Sequence, residues 1–293
     1  MCIFLQSFVS SFFLSATGDE YPHIESGYSA LVTRDFRMET EHPPLLKVWS
    51  ALPLLLLKLN FPINHESWAK HDHFTFYKQF IFEANKASAD IILYVARIPM
   101  MFIGIMLLTS IFYFCNRKWN SLVALFSVFI VVFDPNILAQ SNLVMTDLGF
   151  TLFCFLYITS LYQYLEKSSA RNLIITVVFF SLAQLTKFTA VFLGPLTVVI
   201  LILNYFFHRS LIYPLKKSVI ANNFILIIAL VFSGALFINA AYLFSHSFNT
   251  LEQDFKDDNL IDKTIYNPNK LITNQVLQFI FSSLPIPLPY NYI

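Results

Sequence analysis

Apolar runs separated by short polar segments fill the chain from residue 91 to residue 244. Such runs are typical of transmembrane helices, which need about 20 mainly apolar residues to cross a bilayer. The pattern predicts six spans in this region, at residues 91–115, 120–135, 148–165, 172–190, 191–207 and 220–244. A shorter apolar run at residues 3–17 is interpreted as a first span, because it lacks the basic residues that open a signal peptide. The sequence therefore predicts an all-α, polytopic transmembrane protein with about seven spans.

The polar segment at residues 18–90 is the predicted first outer loop. Within it, residues 45–59 are apolar but carry Lys47 and Lys58, which is typical of a helix that lies on the membrane surface. After residue 244 the chain becomes polar and acidic, then apolar from residue 277, and it stops in a proline-spaced apolar segment. We expect residues 1–293 to form a single membrane domain that is incomplete at its C-terminal end.

Composition agrees with a membrane protein. The chain is 56% hydrophobic and only 13% charged, whereas soluble domains carry about 25% charged residues. Its mean hydropathy is +0.61. The net charge of +1 implies no global attraction to nucleic acid. The three cysteines fall in apolar segments, which favours packing within helices over disulfide or metal chemistry.

Lys and Arg are concentrated in alternate loops, and this pattern predicts the orientation of the spans, because short cytoplasmic loops carry an excess of these residues. The basic residues that follow the second, fourth and sixth predicted spans are Arg117, Lys118, Lys167, Arg171, Arg209, Lys216 and Lys217. The intervening loop at residues 134–147 and the junction at Lys187 hold one Lys and no Arg. Residues 18–90 and 134–147 are therefore predicted to share the outer face of the cell (inner) membrane.

Acidic residues beside span ends are the first candidates for chemistry on that face. Asp19 and Glu20 follow the first predicted span, and Asp147 directly precedes the fourth. A carboxylate held at an apolar boundary loses solvation and gains basicity, which suits a general base. The structural alternatives are a solvated helix cap at Asp19 and Glu20 and an N-terminal cap at Asp147. The residues alone leave both interpretations open.

Two cations lie in the outer parts of predicted spans, Arg97 in the second and Lys187 in the fifth. A cation within the membrane is costly and is by default paired or functional. If the two residues lie at the same depth in the membrane, the planar guanidinium of Arg97 and the compact ammonium of Lys187 would together suit a lipid phosphate. The alternative for each is snorkelling to the lipid head groups.

Histidines concentrate in the outer loop. His42 lies in the stiff run Glu-His-Pro-Pro at residues 41–44, from which it is able to point back toward the site. The run His71-Asp72-His73 resembles a fragment of a metal site, but no further ligand follows at a recognisable spacing. The sequence therefore assigns no metal ligand.

Several segments together resemble the protein O-mannosyltransferase family, in its bacterial branch of phospholipid-carrier-dependent glycosyltransferases. In chain order they are Asp19-Glu20, Glu-His-Pro-Pro-Leu-Leu-Lys at 41–47, Ala-Arg-Ile-Pro at 96–99, Phe-Asp-Pro-Asn-Ile-Leu-Ala at 133–139, Thr146-Asp147 and Leu-Thr-Lys-Phe-Thr-Ala at 185–190. The resemblance covers nearly the whole chain from residue 19. Members of the family adopt the multi-span GT-C fold and usually continue into further spans, so the resemblance also indicates a truncated chain.

The resemblance implies transfer of a mannose-like hexose from a polyprenyl-phosphate carrier to a protein, lipid or glycan acceptor on the outer face. We expect Asp19 to act as general base, because a lipid phosphate leaves without a strong acid and the acceptor hydroxyl must lose its proton. By the same likeness, Glu20 and Asp147 orient the substrates, Arg97 and Lys187 hold the phosphate, and His42 shapes the pocket. A single displacement would invert the anomeric centre. A cofactor is not implied, although a divalent metal stays open.

Two other functions are compatible with these residues. A lipid-linked sugar transporter or flippase would also place Arg and Lys beside acidic groups in the membrane. A non-catalytic membrane subunit, or an inactive fragment, would agree with the early end of the chain.

Overall fold

The computed structural model describes residues 2–210, 217–245 and 287–289, and within these ranges the chain is helical and contains no β-strand. Helical segments long and apolar enough to cross a membrane are Lys86–Lys118, Asp147–Glu166, Phe188–Phe206 and Ile220–Ala241. Shorter apolar helical segments are Leu45–Leu56, Ser121–Val132 and Ala170–Gln184. The predicted all-α, polytopic membrane fold is confirmed. The number of seven spans stays a prediction.

The first helix, α1, is shorter than the predicted span at residues 3–17. It runs from Cys2 to Ser11, and residues 12–19 form turns and irregular structure. The physical reason lies in the helix at Ala89–Lys118, α6, where the Arg97 guanidinium donates hydrogen bonds to the carbonyls of Ser11, Leu14 and Ser15. The chain bends around this side chain, so α1 ends at Ser11 and does not continue to residue 17.

The predicted outer loop is largely helical. Its helices are α2 (Glu20–Thr33), α3 (Leu45–Ala51), α4 (Glu66–Ala69) and α5 (His73–Lys78), with a 3-10 turn at Leu52–Leu56, a π-helical turn at Gln79–Ala84 and a 3-10 turn at Lys86–Ser88. Helices α2 and α3 touch at Gly27, where any side chain would collide with the Lys47 carbonyl. The predicted helix at residues 45–59 is present as α3 and its 3-10 extension. Its Lys47 is buried, however, while Lys58 is exposed.

The remaining helices form an antiparallel bundle. They are α6 (Ala89–Lys118), α7 (Ser121–Val132), α8 (Pro135–Gln140), α9 (Asp147–Glu166), α10 (Ala170–Gln184), α11 (Leu193–Ser210) and α12 (Lys217–Ala241), with a 3-10 turn at Phe188–Phe192 before α11. Helix α9 packs against α6 and α10 through buried residues such as Leu152, Tyr157 and Leu161. By contrast, α7 exposes five large apolar residues: Leu122, Leu125, Phe126, Phe129 and Ile130. In a membrane protein, lipid is expected to cover such a surface.

Two ion pairs mark the opposite ends of the bundle. At one end, Lys118 at the end of α6 contacts Glu166 at the end of α9, with an N–O distance of 2.8 Å. At the other end, Asp147 at the start of α9 meets Lys187, which follows α10. The basic residues used to predict the cytoplasmic face, such as Arg117 and Arg171, lie at the Lys118 end of their helices. The predicted first outer loop packs around the Asp147 end.

Candidate functional site

A fully buried ion pair joins the start of α2 to α6. The Arg97 Nε and Nη2 atoms each donate to one oxygen of Glu20, both at 2.8 Å, and both side chains are 0% exposed. The remaining donors of Arg97 reach the carbonyls of Ser11, Leu14 and Ser15 at 2.9–3.1 Å. All five N–H groups of the guanidinium are therefore used within the protein. In this geometry the guanidinium has no N–H left for a further hydrogen bond.

Glu20 also connects the loop before α9 to this pair. Its carboxylate accepts hydrogen bonds from the backbone N–H groups of Thr17 at 2.9 Å and Val144 at 3.0 Å. One side chain thereby joins the start of α2, the segment after α1, the outer part of α6 and the approach to α9. Because Glu20 is enclosed by these donors, its side chain is 0% exposed.

Asp19 has the opposite environment. It is the N-cap residue of α2, but its side chain makes no capping hydrogen bond and is exposed. Among the described residues, no ion pair or hydrogen bond engages its carboxylate. The structure thus separates the two adjacent acids predicted from the sequence: Glu20 is buried and saturated, whereas Asp19 is available to solvent and ligands.

Asp147 and Lys187 form a second, accessible ion pair. The Lys187 Nζ lies 2.6 Å from the Asp147 Oδ1, and the two side chains are 27% and 45% exposed. Asp147 is the first residue of α9, whose N-cap is Thr146, so the predicted capping position is shifted by one residue. An ammonium group has three donors. Lys187 therefore keeps capacity for an anion in addition to Asp147.

His42 belongs to a cluster that the sequence analysis did not find. Its Nδ1 lies 3.3 Å from the Glu39 Oε1, and its ring stands edge-on to His23 with the ring centres 5.0 Å apart. The Lys47 Nζ donates to the Glu39 Oε2 at 2.8 Å and to the Glu39 carbonyl at 2.6 Å. His23, Glu39 and Lys47 are nearly fully buried, while the His42 side chain is 27% exposed.

Burial and charge act in opposite directions on the pKa values of this cluster. Burial alone would raise the pKa of Glu39, but the Lys47 ammonium, the His42 hydrogen bond and the charge of His23 lower it to about 2. Burial lowers the pKa of His23, because the imidazolium loses its hydration. Burial also raises the pKa of Glu25 well above its ordinary value, although the Lys47 charge and the Ser29 hydroxyl act in the opposite direction.

Hydrogen bonds and packing hold these groups at one end of the bundle. The His23 Nδ1 lies 3.0 Å from the carbonyl of Val144, whose own N–H is bound by Glu20. The Leu45 N–H donates to the Leu185 carbonyl at 3.2 Å, two residues before Lys187. Leu46 packs so closely on Gly149 that no side chain fits there. Helix α3 therefore lies between the start of α9 and the end of α10.

A small pocket opens beside the Glu39 cluster. Its lining is mixed, with polar groups from α2, α3 and the loop between them and aromatic groups from that loop and from the turn after α12. The residues that line it include Ser26, Phe36, Glu39, His42, Lys47 and Tyr242. The expectation that His42 contributes to a pocket agrees with this lining. The sequence analysis did not identify Glu39, His23 and Lys47 as site residues, because each of them alone resembles an ordinary loop or helix residue. The one sequence feature that indicated the cluster was the Glu39 carboxylate, three residues before His42.

The run at residues 71–73 does not assemble as one site. The His71 Nε2 lies 2.8 Å from an Arg37 nitrogen, and Asp72 caps α5 by accepting from the Thr75 N–H. The His73 ring stacks on Phe74. The three side chains thus serve three different local contacts, and they do not converge as metal ligands among the described residues.

The fold and the site together define a class. The protein is helical and has several apolar helices long enough to cross a membrane. At one end of its bundle lie an exposed acid, an accessible Lys–Asp pair and a buried polar cluster. It is therefore a membrane protein with a polar site at one end of the bundle. The family model described as dolichyl-phosphate-mannose-protein mannosyltransferase matches residues 92–238, half of the chain. The chain belongs to this family, which confirms the resemblance and makes it a membrane glycosyltransferase of the GT-C type.

The family match covers only part of the site. It begins within α6 and ends within α12, so it includes Arg97, Asp147 and Lys187, whereas Asp19 and His42 precede it. No curated protein and no solved structure matches the chain. The roles of individual residues must therefore be argued from their geometry.

Proposed function

We propose that this protein transfers a hexose from a polyprenyl-phosphate carrier to an acceptor hydroxyl at the outer face of the cell membrane, with Asp19 as the general base. The observation that carries the proposal is the contrast between the two neighbouring acids. Glu20 is buried and fixed by Arg97, and this contact positions the exposed, unengaged carboxylate of Asp19. A protein acceptor accords with the family description, and lipid or glycan acceptors are the alternatives to be tested.

The reaction requires one base and one anion site. The acceptor oxygen forms a bond to the anomeric carbon while the bond from that carbon to the phosphate oxygen breaks, and the acceptor proton moves to Asp19. The departing phosphate carries the electron pair, so it needs no strong acid, but its charge must be balanced. A single displacement of this kind inverts the anomeric centre.

We assign the phosphate to Lys187. Its ammonium is partly exposed, is held by one carboxylate and retains donors for a second anion. Asp147 then orients Lys187 at the start of α9. Arg97, which the sequence suggested as a second phosphate ligand, is better explained as a positioning residue, because its donors are already satisfied by Glu20 and three carbonyls.

The placement of charge favours transfer over transport. A transport path requires ionisable groups along the middle of the membrane. Within α6, α7, α9, α10, α11 and α12, charged residues occupy only the first or last two helix positions, with the single exception of Arg97. Arg97 faces Glu20 and the turn after α1, so it does not line a path through the bundle.

The test is transfer from a labelled polyprenyl-phosphate mannose donor by the purified chain in lipid nanodiscs, offered peptide, lipid and glycan acceptors. Asp19→Asn should lower the rate by roughly 100-fold or more, the usual contribution of a general base. The matched control is Asp90→Asn, which neutralises another exposed acid near the same end. Equal rates for Asp19→Asn and the unmodified protein would remove Asp19 from the mechanism. A product with retained anomeric configuration would exclude the single displacement.

A further inference from the structure

We propose that His23, Glu39 and His42 form a binding site for a divalent metal ion of the Zn²⁺ type. One ligand atom from each residue lies within 4.8 Å of the others. Two imidazoles and one carboxylate are a common ligand set for zinc and leave a coordination position open. The site is independent of the transfer reaction, since it rests only on the arrangement of these side chains.

The first supporting feature is the position of the ring proton of His23. Its Nδ1 lies 3.0 Å from the Val144 carbonyl, which only accepts hydrogen bonds, so the ring proton is on Nδ1. The lone pair of Nε2 therefore faces the Glu39 Oε2 across 3.9 Å. Metal-binding histidines are oriented in the same way, with the second ring nitrogen bonded to a backbone carbonyl.

The separation of the His23 Nε2 and the Glu39 Oε2 suits an ion between them. Ligand bonds to Zn²⁺ are about 2.0–2.2 Å long, so an ion placed between the His23 Nε2 and the Glu39 Oε2 spans their 3.9 Å separation without a large movement. His42, the most exposed of the three residues, closes the remaining distance by rotation of its side chain.

The backbone holds Glu39 in an unusual conformation. Its φ angle is 45°, in the left-handed region that residues other than glycine rarely adopt. This conformation directs the carboxylate inward between the two histidines, where it is 4% exposed. Strained residues of this kind persist only where the surroundings determine them, and they cluster at binding sites.

Lys47 is the competitor of the metal ion. Its ammonium neutralises Glu39 in the structure, at 2.8 Å from the Oε2 atom. Glu25 is a second carboxylate near that ammonium, and it is 0% exposed. A metal ion on Glu39 would release Lys47 toward Glu25.

The test is direct binding of Zn²⁺ to the chelator-treated full chain in detergent, measured by calorimetry, with the visible absorption of Co²⁺ as a second readout of nitrogen ligation. We expect about one equivalent per chain. His42→Gln should weaken binding by roughly 100-fold, on the scale of losing a ligand interaction. His73→Gln, another partly exposed histidine of the same loop, is the matched control and should bind as the unmodified protein does.

A third variant separates a metal site from a purely structural cluster. Lys47→Met removes the competitor, so it should bind Zn²⁺ more tightly than the unmodified protein, and Zn²⁺ should raise its thermal unfolding temperature. A metal-free structural role predicts that Zn²⁺ changes neither quantity. Absence of stoichiometric binding, or equal binding by His42→Gln and His73→Gln, would overturn the proposal.

Discussion

Replacing Arg97 by Met tests the central contact of the structure. The substitution keeps a long apolar side chain in α6 but removes the guanidinium from a position where it is 0% exposed. It leaves the Glu20 carboxylate buried without its cation and frees the carbonyls of Ser11, Leu14 and Ser15. We therefore expect a loss of stability rather than a selective loss of substrate binding.

The magnitude follows from the burial of both partners. Removal of one member of a buried ion pair costs about 3–5 kcal/mol, because an uncompensated charge stays in the interior. Glu20→Gln should also destabilise the otherwise unmodified protein, since Arg97 then loses its carboxylate. In the Arg97→Met background, however, Glu20→Gln removes the unpaired charge and should increase stability. The effect of Glu20→Gln on stability therefore changes sign between the two backgrounds. Such a change requires an interaction between the two residues.

The assay is unfolding of the four proteins by a denaturing detergent, followed by tryptophan fluorescence. Trp49 is a local reporter, because its indole N–H donates to the Pro99 carbonyl at 2.9 Å, two residues from Arg97. Arg117→Met is the matched control on the same helix, where the guanidinium is exposed at the opposite end. Its effect should stay within about 0.5 kcal/mol.

One result would refute this reasoning. If Arg97→Met unfolds like the unmodified protein and instead raises the KM for the lipid-linked donor, Arg97 is a phosphate ligand and not a positioning residue. Additive effects of the Arg97→Met and Glu20→Gln substitutions would likewise show that the two side chains do not stabilise each other.

Three further predictions concern the surroundings of the site. Gly27→Ala should destabilise the protein by about 1–3 kcal/mol in denaturant unfolding, because its methyl group meets the α3 backbone; Gly194→Ala, which has open space around it, should be neutral or slightly stabilising. Lys187→Gln should raise the KM for the polyprenyl-phosphate donor roughly tenfold while Lys58→Gln, at an exposed position, leaves it unchanged, and equal KM values would separate Lys187 from the phosphate. Burial, followed by the charge of Arg37, lowers the pKa of His71 from 6.5 to about 4. Because the unfolded chain binds that proton more readily, the stability from His71 is complete above about pH 6.5 and is lost as the pH falls toward 4. A His71→Gln variant with the same loss of stability over that pH range would contradict the assignment.

The sequence by itself determined the class of fold and the family. Long apolar runs, few charges and an alternating distribution of Lys and Arg are sufficient for a polytopic helical protein, because lipid admits only helices or closed barrels. The order of the short motifs led to the correct family, and it placed Asp19, Asp147 and Lys187 among the candidates.

The tertiary structure decided which polar groups are partners. Asp19 and Glu20 are adjacent in the chain, yet one is exposed and the other buried, since their environments come from α1, α6 and the loop before α9. Glu39 and Lys47 acquire their roles only where α2 and α3 pack together. Whether a polar side chain is buried, and which group it contacts, depends on segments that are far apart in the chain and meet in the fold. Apolar periodicity, by contrast, is a local property of the sequence. For this reason the apolar helices were predictable from the sequence, whereas the cluster around Glu39 was not.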